Sequence, residues 1–331
     1  MTAELPASRT EPDGAPVVRV LSYNIRSMRD DRRALARVIK ACAPDVVCIQ
    51  EAPRFFRWRK HASWLARESG LVRVTGGATA CGPMILSSLR AHVEHTEDIL
   101  LPRTPGLHQR GFATAVLRIG SARLSVISAH LSINADERYE QTGLLLDQVA
   151  AASYGAHTVV GGDFNDTPEG RSFRRIAAEL QDCWAVRPWG AEFTSNPREP
   201  VQRIDAIFVG KEIEVLGCGV PIGLPDERRT RAGGAAGRDS DREARLRHDR
   251  SSAESGSGRR SEQRGDERRT RAGGVAGRDS DREARLRHDR SSAEPGSGRR
   301  SEQSVVIGGR DLRAATDHLP VLAALRVPAG T

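Results

Sequence analysis

Seven short runs of apolar, β-branched residues punctuate this chain, and they restrict it to a fold built on sheets. They are "VVRVLSYN" (17–24), "DVVCIQE" (45–51), "FATAVLRI" (112–119), "RLSVISAH" (123–130), "HTVVGGDFN" (157–165), "RIDAIFV" (203–209) and "LPVLAALRV" (319–327). Each has the length and residue types of a strand. Three intervening stretches, 30–44, 54–70 and 135–153, carry apolar residues at helical spacing, the last with Asn134 or Asp136 placed to cap it. "FATAVLRI" and "RLSVISAH", joined by "GSA", read as an antiparallel hairpin, which excludes a purely parallel sheet. A sheet-on-sheet core flanked by helices accommodates the whole pattern.

Residues 226–263 recur almost unchanged as 266–303, differing only at Ala235/Val275 and Ser255/Pro295. This segment has no aromatic residue, and Leu246, Val275 and Leu286 are its only apolar side chains larger than Ala. Arg, Gly, Ser and Asp dominate, so it cannot bury enough surface to fold alone. Two polar copies are also too few for a solenoid. The expectation is a disordered insertion over 226–303, a disordered tail over 1–16, and one folded domain formed by 17–225 and 304–328.

The formal charge of +8 points toward polyanions until it is located. The repeat holds 21 Arg against 16 acidic residues, which leaves 30 basic and 27 acidic residues elsewhere. A core near +3 lacks the basic groove of a dedicated DNA binder. Acids interleave with the arginines of the repeat, so a solvated loop is favoured over an Arg-rich tether for polyanions. Five scattered cysteines without paired spacing argue against a disulfide framework or a structural zinc site. No run reaches the roughly 20 apolar residues of a membrane helix, and the N-terminus lacks the pattern of a signal peptide. A cytoplasmic monomer is expected.

Six of the apolar segments end or begin on a side chain with chemistry. Asn24, Glu51, His130, the pair Asp163 and Asn165, Asp205, and the pair Asp317 and His318 all occupy such edges. One polar strand end is ordinary solvation, whereas six in one chain suggest a shared site. Carboxylate and amide oxygens are hard ligands suited to Mg²⁺ or Mn²⁺, which bind few carboxylates and keep water and phosphate oxygens. Histidines beside such an ion suit proton transfer and stabilisation of phosphoryl charge. The glycines of "GGDFNDTPEG" are expected to turn the chain tightly at the strand end. Asp166 and Glu169 are assigned to the start of the following helix, with Asp166 or Thr167 capping and Pro168 in the first turn.

"LSYNIR", "IQE", "SAHL", "GGDFNDTP", "RIDAIFV" and "TDHLPV", in that order, resemble the motif series of the endonuclease/exonuclease/phosphatase family, which includes DNase I, abasic-site endonucleases, inositol-polyphosphate phosphatases and neutral sphingomyelinases. The resemblance implies an α/β, four-layered α/β/β/α sandwich, DNase I-like, with the site at one edge of two packed sheets. It implies metal binding by Asn24 and Glu51, with Asp317 assisting metal or phosphate binding. It implies phosphate contact by His318, with Asp205 orienting that ring or helping to position the phosphate, a further active-site histidine in His130, and activation of water by Asp163 with Asn165 on a phosphate oxygen.

The expected activity is Mg²⁺- or Mn²⁺-dependent hydrolysis of a phosphate ester by in-line attack of water. Nucleic acid, a phospholipid and a small phosphoester are the candidate substrates. The near-neutral core and the histidine of "SAHL" favour a phosphodiesterase or phosphatase over a DNA nuclease; a scaffold protein on a spent hydrolase fold is the alternative of another class. Arg110 is a candidate phosphate contact or a strand-edge residue, and Arg138 with Gln141 a candidate substrate-side pair or plain helix surface. "RFFRWRKHASW" (54–64) reads as a stacking platform, a lipid-facing rim, or a helix packed on a sheet.

Overall fold

The computed structural model describes residues 4–152, 155–224 and 307–329. The repeat at 226–303, and the expectation of disorder placed on it, lie outside them. The first sheet has seven strands in the order β12 (Glu214–Gly219), β15 (Val321–Arg326), β2 (Pro16–Asn24), β3 (Val46–Gln50), β5 (Met84–Ser87) and β4 (Val72–Gly76), with β1 (Arg9–Thr10) against β2. The second has six, in the order β10 (Gln181–Asp182), β11 (Asp205–Val209), β9 (His157–Asp163), β8 (Ala122–His130), β7 (Gly111–Ile119) and β6 (Ala91–Leu100). β2 and β3 run parallel, as do β8 and β9, and β7–β8 is the expected antiparallel hairpin. Two short strands, β13 (Gly223–Leu224) and β14 (Ile307–Gly308), pair in parallel, so residues 224 and 307 lie at adjacent points.

Side chains on a strand alternate between faces, and here both faces are buried. On β2, Val18 and Val20 enter an apolar layer shared with Val126, Val159 and Ile207 of the second sheet. Leu21 and Tyr23, at the alternate positions beyond them, face a layer built with Leu35 and Ile39 of α1 (Arg32–Cys42) and Leu65 of α2 (Trp58–Ser69). On the far side Ile127, Val160 and Phe208 meet Leu145 of α3 (Ala135–Ala152) and Phe173 of α4 (Arg171–Glu179). Three apolar layers between four sets of elements make the α/β/β/α sandwich. The elements are completed by α5 (Cys183–Val186) and α6 (Gly309–Ala315). Among the described residues no helix is long and apolar enough to cross a membrane.

Local chemistry sets the boundaries. The Asp31 carboxylate accepts from the N–H groups of Arg33 and Ala34 to start α1. Asn134 starts α3 by accepting from Asp136 and Glu137, which settles the choice of cap. The Asp166 carboxylate accepts from the N–H groups of Ser172 and Phe173, so it does cap α4, but the helix begins at Arg171, beyond Pro168.

Two expectations need correction. The described part of the 1–16 tail is packed: the Arg19 guanidinium, 2% exposed, donates to the carbonyls of Leu5 (2.6 Å) and Pro6 (2.8 Å), and Leu5 itself is buried. A buried guanidinium needs acceptors, and this arm supplies them. Gly161 and Gly162 make no turn either; they lie inside β9, and neither has a positive φ. A Cβ on Gly161 would stand 2.8 Å from the Cys48 Cβ across the inter-sheet layer, and one on Gly162 2.7 Å from the Ala129 carbonyl oxygen. The glycines let the sheets and strands close up beside the site. Gly161→Ala is therefore expected to destabilise the fold by about 1–3 kcal/mol, measured by urea unfolding; an unchanged midpoint would show that the sheets have room there.

Candidate functional site

The polar strand ends converge because the stripes that face the inter-sheet layer end at the same edge. β2, β3, β8 and β9 finish there, and β11 and β15 begin there. Pairing places His130 opposite Asp163, and Asp163 opposite Asp205, in one row across three strands. Asn24 ends the facing stripe of the first sheet, and its amide nitrogen donates to Asp163 Oδ2 (2.9 Å) and Glu51 Oε1 (3.2 Å). Glu51 has φ 52° and Asn165 φ 50°. These left-handed conformations break the strand alternation just where a side chain must swing toward the layer's edge.

Asp163 is the hub. It is 2% exposed, and its Oδ1 accepts from the N–H of Asn165 (3.0 Å). Its Oδ2 lies 3.6 Å from His130 Nε2 and 3.8 Å from His318 Nε2. His318 Nδ1 donates to Asp205 Oδ2 at 2.9 Å. The two imidazoles differ in charge. Burial alone would lower both, and in His130, where Arg110 and His318 add to it, the value falls to about 3 despite Asp163. For His318, Asp205 together with Asp163 and Asp317 outweighs burial and raises it to about 10. His130 is a neutral ring and His318 an imidazolium.

Glu51, Arg110, His130, Asp163, Asn165 and His318 line one cleft of 390 Å³. Arg110 enters it half-buried, and its Nε has no hydrogen-bond partner. Burial lowers its pKa against the pull of Asp163 and Glu51. A guanidinium that forms no ion pair among the described residues and faces this cleft suits an anionic guest. A larger groove of 1160 Å³ lies at the opposite end of the second sheet, but its His157 pairs with Glu212 and its Arg118 and Arg123 with Glu94. Among the described residues no strand end delivers an unpaired acid or base to it, so the smaller cleft is the candidate site.

Three residues expected in the site have other occupations. Asn24 turns its amide nitrogen toward the carboxylates, and its oxygen accepts from the Arg26 N–H (3.1 Å), so it bridges Glu51 and Asp163 instead of offering a ligand oxygen. Asp317 pairs with Arg26 Nε (3.1 Å) and is half exposed, outside the cleft lining. Arg138 donates to the carbonyls of Ser132 and Ile133, while Gln141 Oε1 accepts from the Ser132 N–H, so the pair braces the loop after His130. Sequence reasoning missed Ser27, Arg29, Arg54, Cys81 and His108, which also line the cleft. Ser27 sits in a three-residue 3-10 turn and the other four in loops, where no periodicity marks them; the only signal was proximity, Arg54 three residues after Glu51 and His108 two before Arg110.

The donor set fits a hard divalent cation. Glu51 Oε2 meets no donor among the described residues, and Asp205 Oδ1 is buried without one. A second grouping, Asp163, Asp205 and His318, has ligand atoms within 4.8 Å of one another. It is already filled electrostatically by the His318 imidazolium, which makes Glu51 the better cation site. In cation-free protein, NMR titration of the histidine rings should find His318 protonated at neutral pH and titrating toward about 10, and His130 neutral down to about 3. Two rings titrating together near the ordinary value would contradict this electrostatic division.

Residues 21–242 match the Endonuclease/Exonuclease/phosphatase family. No curated protein matches the chain. Among solved structures, the endonuclease/exonuclease/phosphatase from Bacteroides vulgatus superposes with a TM-score of 0.58 at 14% identity, over 94% of this chain and 99% of that one. A functionally unknown conserved protein from Enterococcus faecalis V583 gives 0.56 at 14% identity, over 94% and 100%. The mannosyl-6-phosphatase of Bacteroides thetaiotaomicron gives 0.53 at 17% identity, over 61% and 89%. At such identities these likenesses show the fold. The match over two-thirds of the sequence shows more: this chain is a member of the endonuclease/exonuclease/phosphatase family, whose enzymes are generally phosphoester hydrolases that use divalent metals.

Proposed function

We propose that the chain hydrolyses a phosphate ester by in-line attack of water, with Mg²⁺ or Mn²⁺ held at Glu51. The observation that carries this reading is the convergence on Asp163 of two histidines in opposite charge states, one of them paired with Asp205. Pairs of titratable groups pushed apart by their surroundings divide acid from base work.

When bound, the cation neutralises charge on an oxygen of the substrate. Asp163 takes the proton of the attacking water as its oxygen bonds to phosphorus and the bond to the leaving oxygen breaks. His318, kept protonated by Asp205, gives its Nε2 proton to the leaving oxygen and regains one from Asp163, 3.8 Å away. Proton count and charge close over the cycle. Arg110 and the second N–H of the Asn165 amide hold phosphoryl oxygens, the first N–H being engaged by the Leu131 carbonyl. His130, neutral, adds a hydrogen bond without adding charge.

A cleft of 390 Å³ suits a small ester or a headgroup, in keeping with a phosphodiesterase or phosphatase. Purified protein with Mg²⁺ or Mn²⁺ should cleave bis(p-nitrophenyl) phosphate and lose turnover in chelator. Asp163→Asn and His318→Ala should each lower kcat by about 10²–10⁴, and Glu51→Gln should raise the cation concentration needed for half-maximal rate. Full turnover in Asp163→Asn would remove the assigned base. Supercoiled plasmid nicked in preference to small esters would move the substrate to DNA. Failure of every ester, with Glu51→Gln binding cation as wild type does, would leave a scaffold.

A further inference from the structure

Among the described residues the five most exposed large apolar side chains are Leu89 (88%), Phe56 (83%), Phe55 (81%), Ile133 (74%) and Val201 (61%). Isolated exposed apolar residues are ordinary, but four of these five sit on loops at the same edge of the sandwich as the cleft. Phe55 and Phe56 follow Arg54, which lines it, and Ile133 lines it directly. Val201 rides on the loop whose Asn196 N–H bonds the Asp317 carbonyl and whose Ser195 bridges to His318.

The charge beside the two phenyl rings has one sign. "RFFRWRK" (54–60) holds four cations and no acid. None of Arg54, Arg57, Arg59 and Lys60 forms an ion pair among the described residues. Arg54 lies over the Phe55 ring at 5.7 Å, Arg57 over Phe56 at 5.0 Å and Arg59 over Trp58 at 4.5 Å. Trp58 is packed against Gly77, where a Cβ would stand 2.7 Å from the indole, so the turn is pinned from below while the two phenyl rings stay in solvent. The stretch open to three readings in the sequence therefore splits: Trp64 packs against the core, and Phe55 and Phe56 pack against nothing that would explain their being apolar.

We infer that the mouth of the cleft docks on an anionic lipid surface, with Phe55, Phe56 and Ile133 entering the interface and the 54–60 cations meeting headgroup phosphates. Apolar insertion and cationic attraction together give reversible interfacial binding. Single-stranded nucleic acid, which also favours aromatic and cationic residues, fits less well. Ile133 and Val201 have no ring to stack on a base, and one face of each phenyl already carries a guanidinium. Docked in this way, the cleft opens onto the headgroup layer, so the ester it takes is a lipid headgroup ester. That consequence rests on the phosphoester-hydrolase reading; the docking itself does not.

The test is co-sedimentation of the full chain with vesicles of phosphatidylcholine, alone or mixed with phosphatidylserine, beside the double variant Phe55→Ser, Phe56→Ser. Both sites are solvent-exposed, and thermal unfolding checks that the variant is folded. Wild type should sediment with the anionic vesicles and less with the neutral ones, and the variant should partition on the order of tenfold or more less strongly. Both proteins carry the same Arg-rich repeat, so the difference reads the rim alone. Equal partition of the two proteins, or no sedimentation of wild type, overturns the proposal. So does Phe-dependent binding of a single-stranded oligonucleotide without binding to vesicles. Turnover of a soluble ester in the same samples separates the two claims: sedimentation without turnover removes the hydrolase reading and keeps the docking, and turnover without sedimentation does the reverse.

Discussion

A carboxylate as deeply buried as Asp163 is tolerable only where donors surround it, and the arrangement of the site follows from that requirement. The Asn24 amide and the Asn165 N–H donate to it and the two imidazoles stand 3.6 and 3.8 Å away, so its partners come from both sheets and from four separate stretches of chain. Asn165 and His130 reach Asp163 within the second sheet, but Asn24 and His318 can be near it only if the sheets are packed face to face in the observed register. Asp205, aided by the same carboxylate and by Asp317, holds the His318 proton, while the deeper His130 loses its own to burial. Electrostatic differentiation of two identical side chains is thus a product of the packing.

Close approach of the sheets is the mechanical half of the same constraint. Gly161 removes the side chain that would meet Cys48, and the Ser128 hydroxyl crosses the layer to the Ile49 carbonyl. Apolar packing in the middle of the layer therefore gives way to polar bridging toward the site. Beyond the bridges, Ser27, Glu51, Cys81 and Asn165 line the cleft in left-handed backbone conformations that non-glycine residues seldom adopt. Such conformations persist where surrounding structure enforces them, and they concentrate where side chains are aimed for function.

Much of this was legible in the residues. Strands buried on both faces announce themselves as continuous β-branched runs, and all seven runs became strands of the two sheets. The edge strand β6 escaped because "AHVEHTEDIL" is almost wholly exposed and has no apolar face to reveal it. β4 starts exposed and alternates its valines with Arg73 and Thr75, β5 has only four residues, and the N-terminal arm owes its order to hydrogen bonds from Arg19 that no hydropathy pattern encodes. Site residues at strand ends could be anticipated from their positions; His130, Asp163, Asn165, Asp205, His318, Glu51 and Arg110 do meet. Asn24 bridges carboxylates, Asp317 binds Arg26 and Arg138 braces a loop, because which atom of a side chain faces the cleft is decided by neighbours far away in sequence.

The central claim is that side chains from two sheets enclose one place for a divalent ion, at Glu51, beside a proton-handling cluster that stays free of it. Anomalous scattering from crystals grown with Mn²⁺ locates the ion directly. The account predicts a peak coordinated by a Glu51 carboxylate oxygen, with the His318–Asp205 hydrogen bond intact. A peak ligated by His318 together with Asp163 and Asp205, or one remote from the cleft, would contradict it.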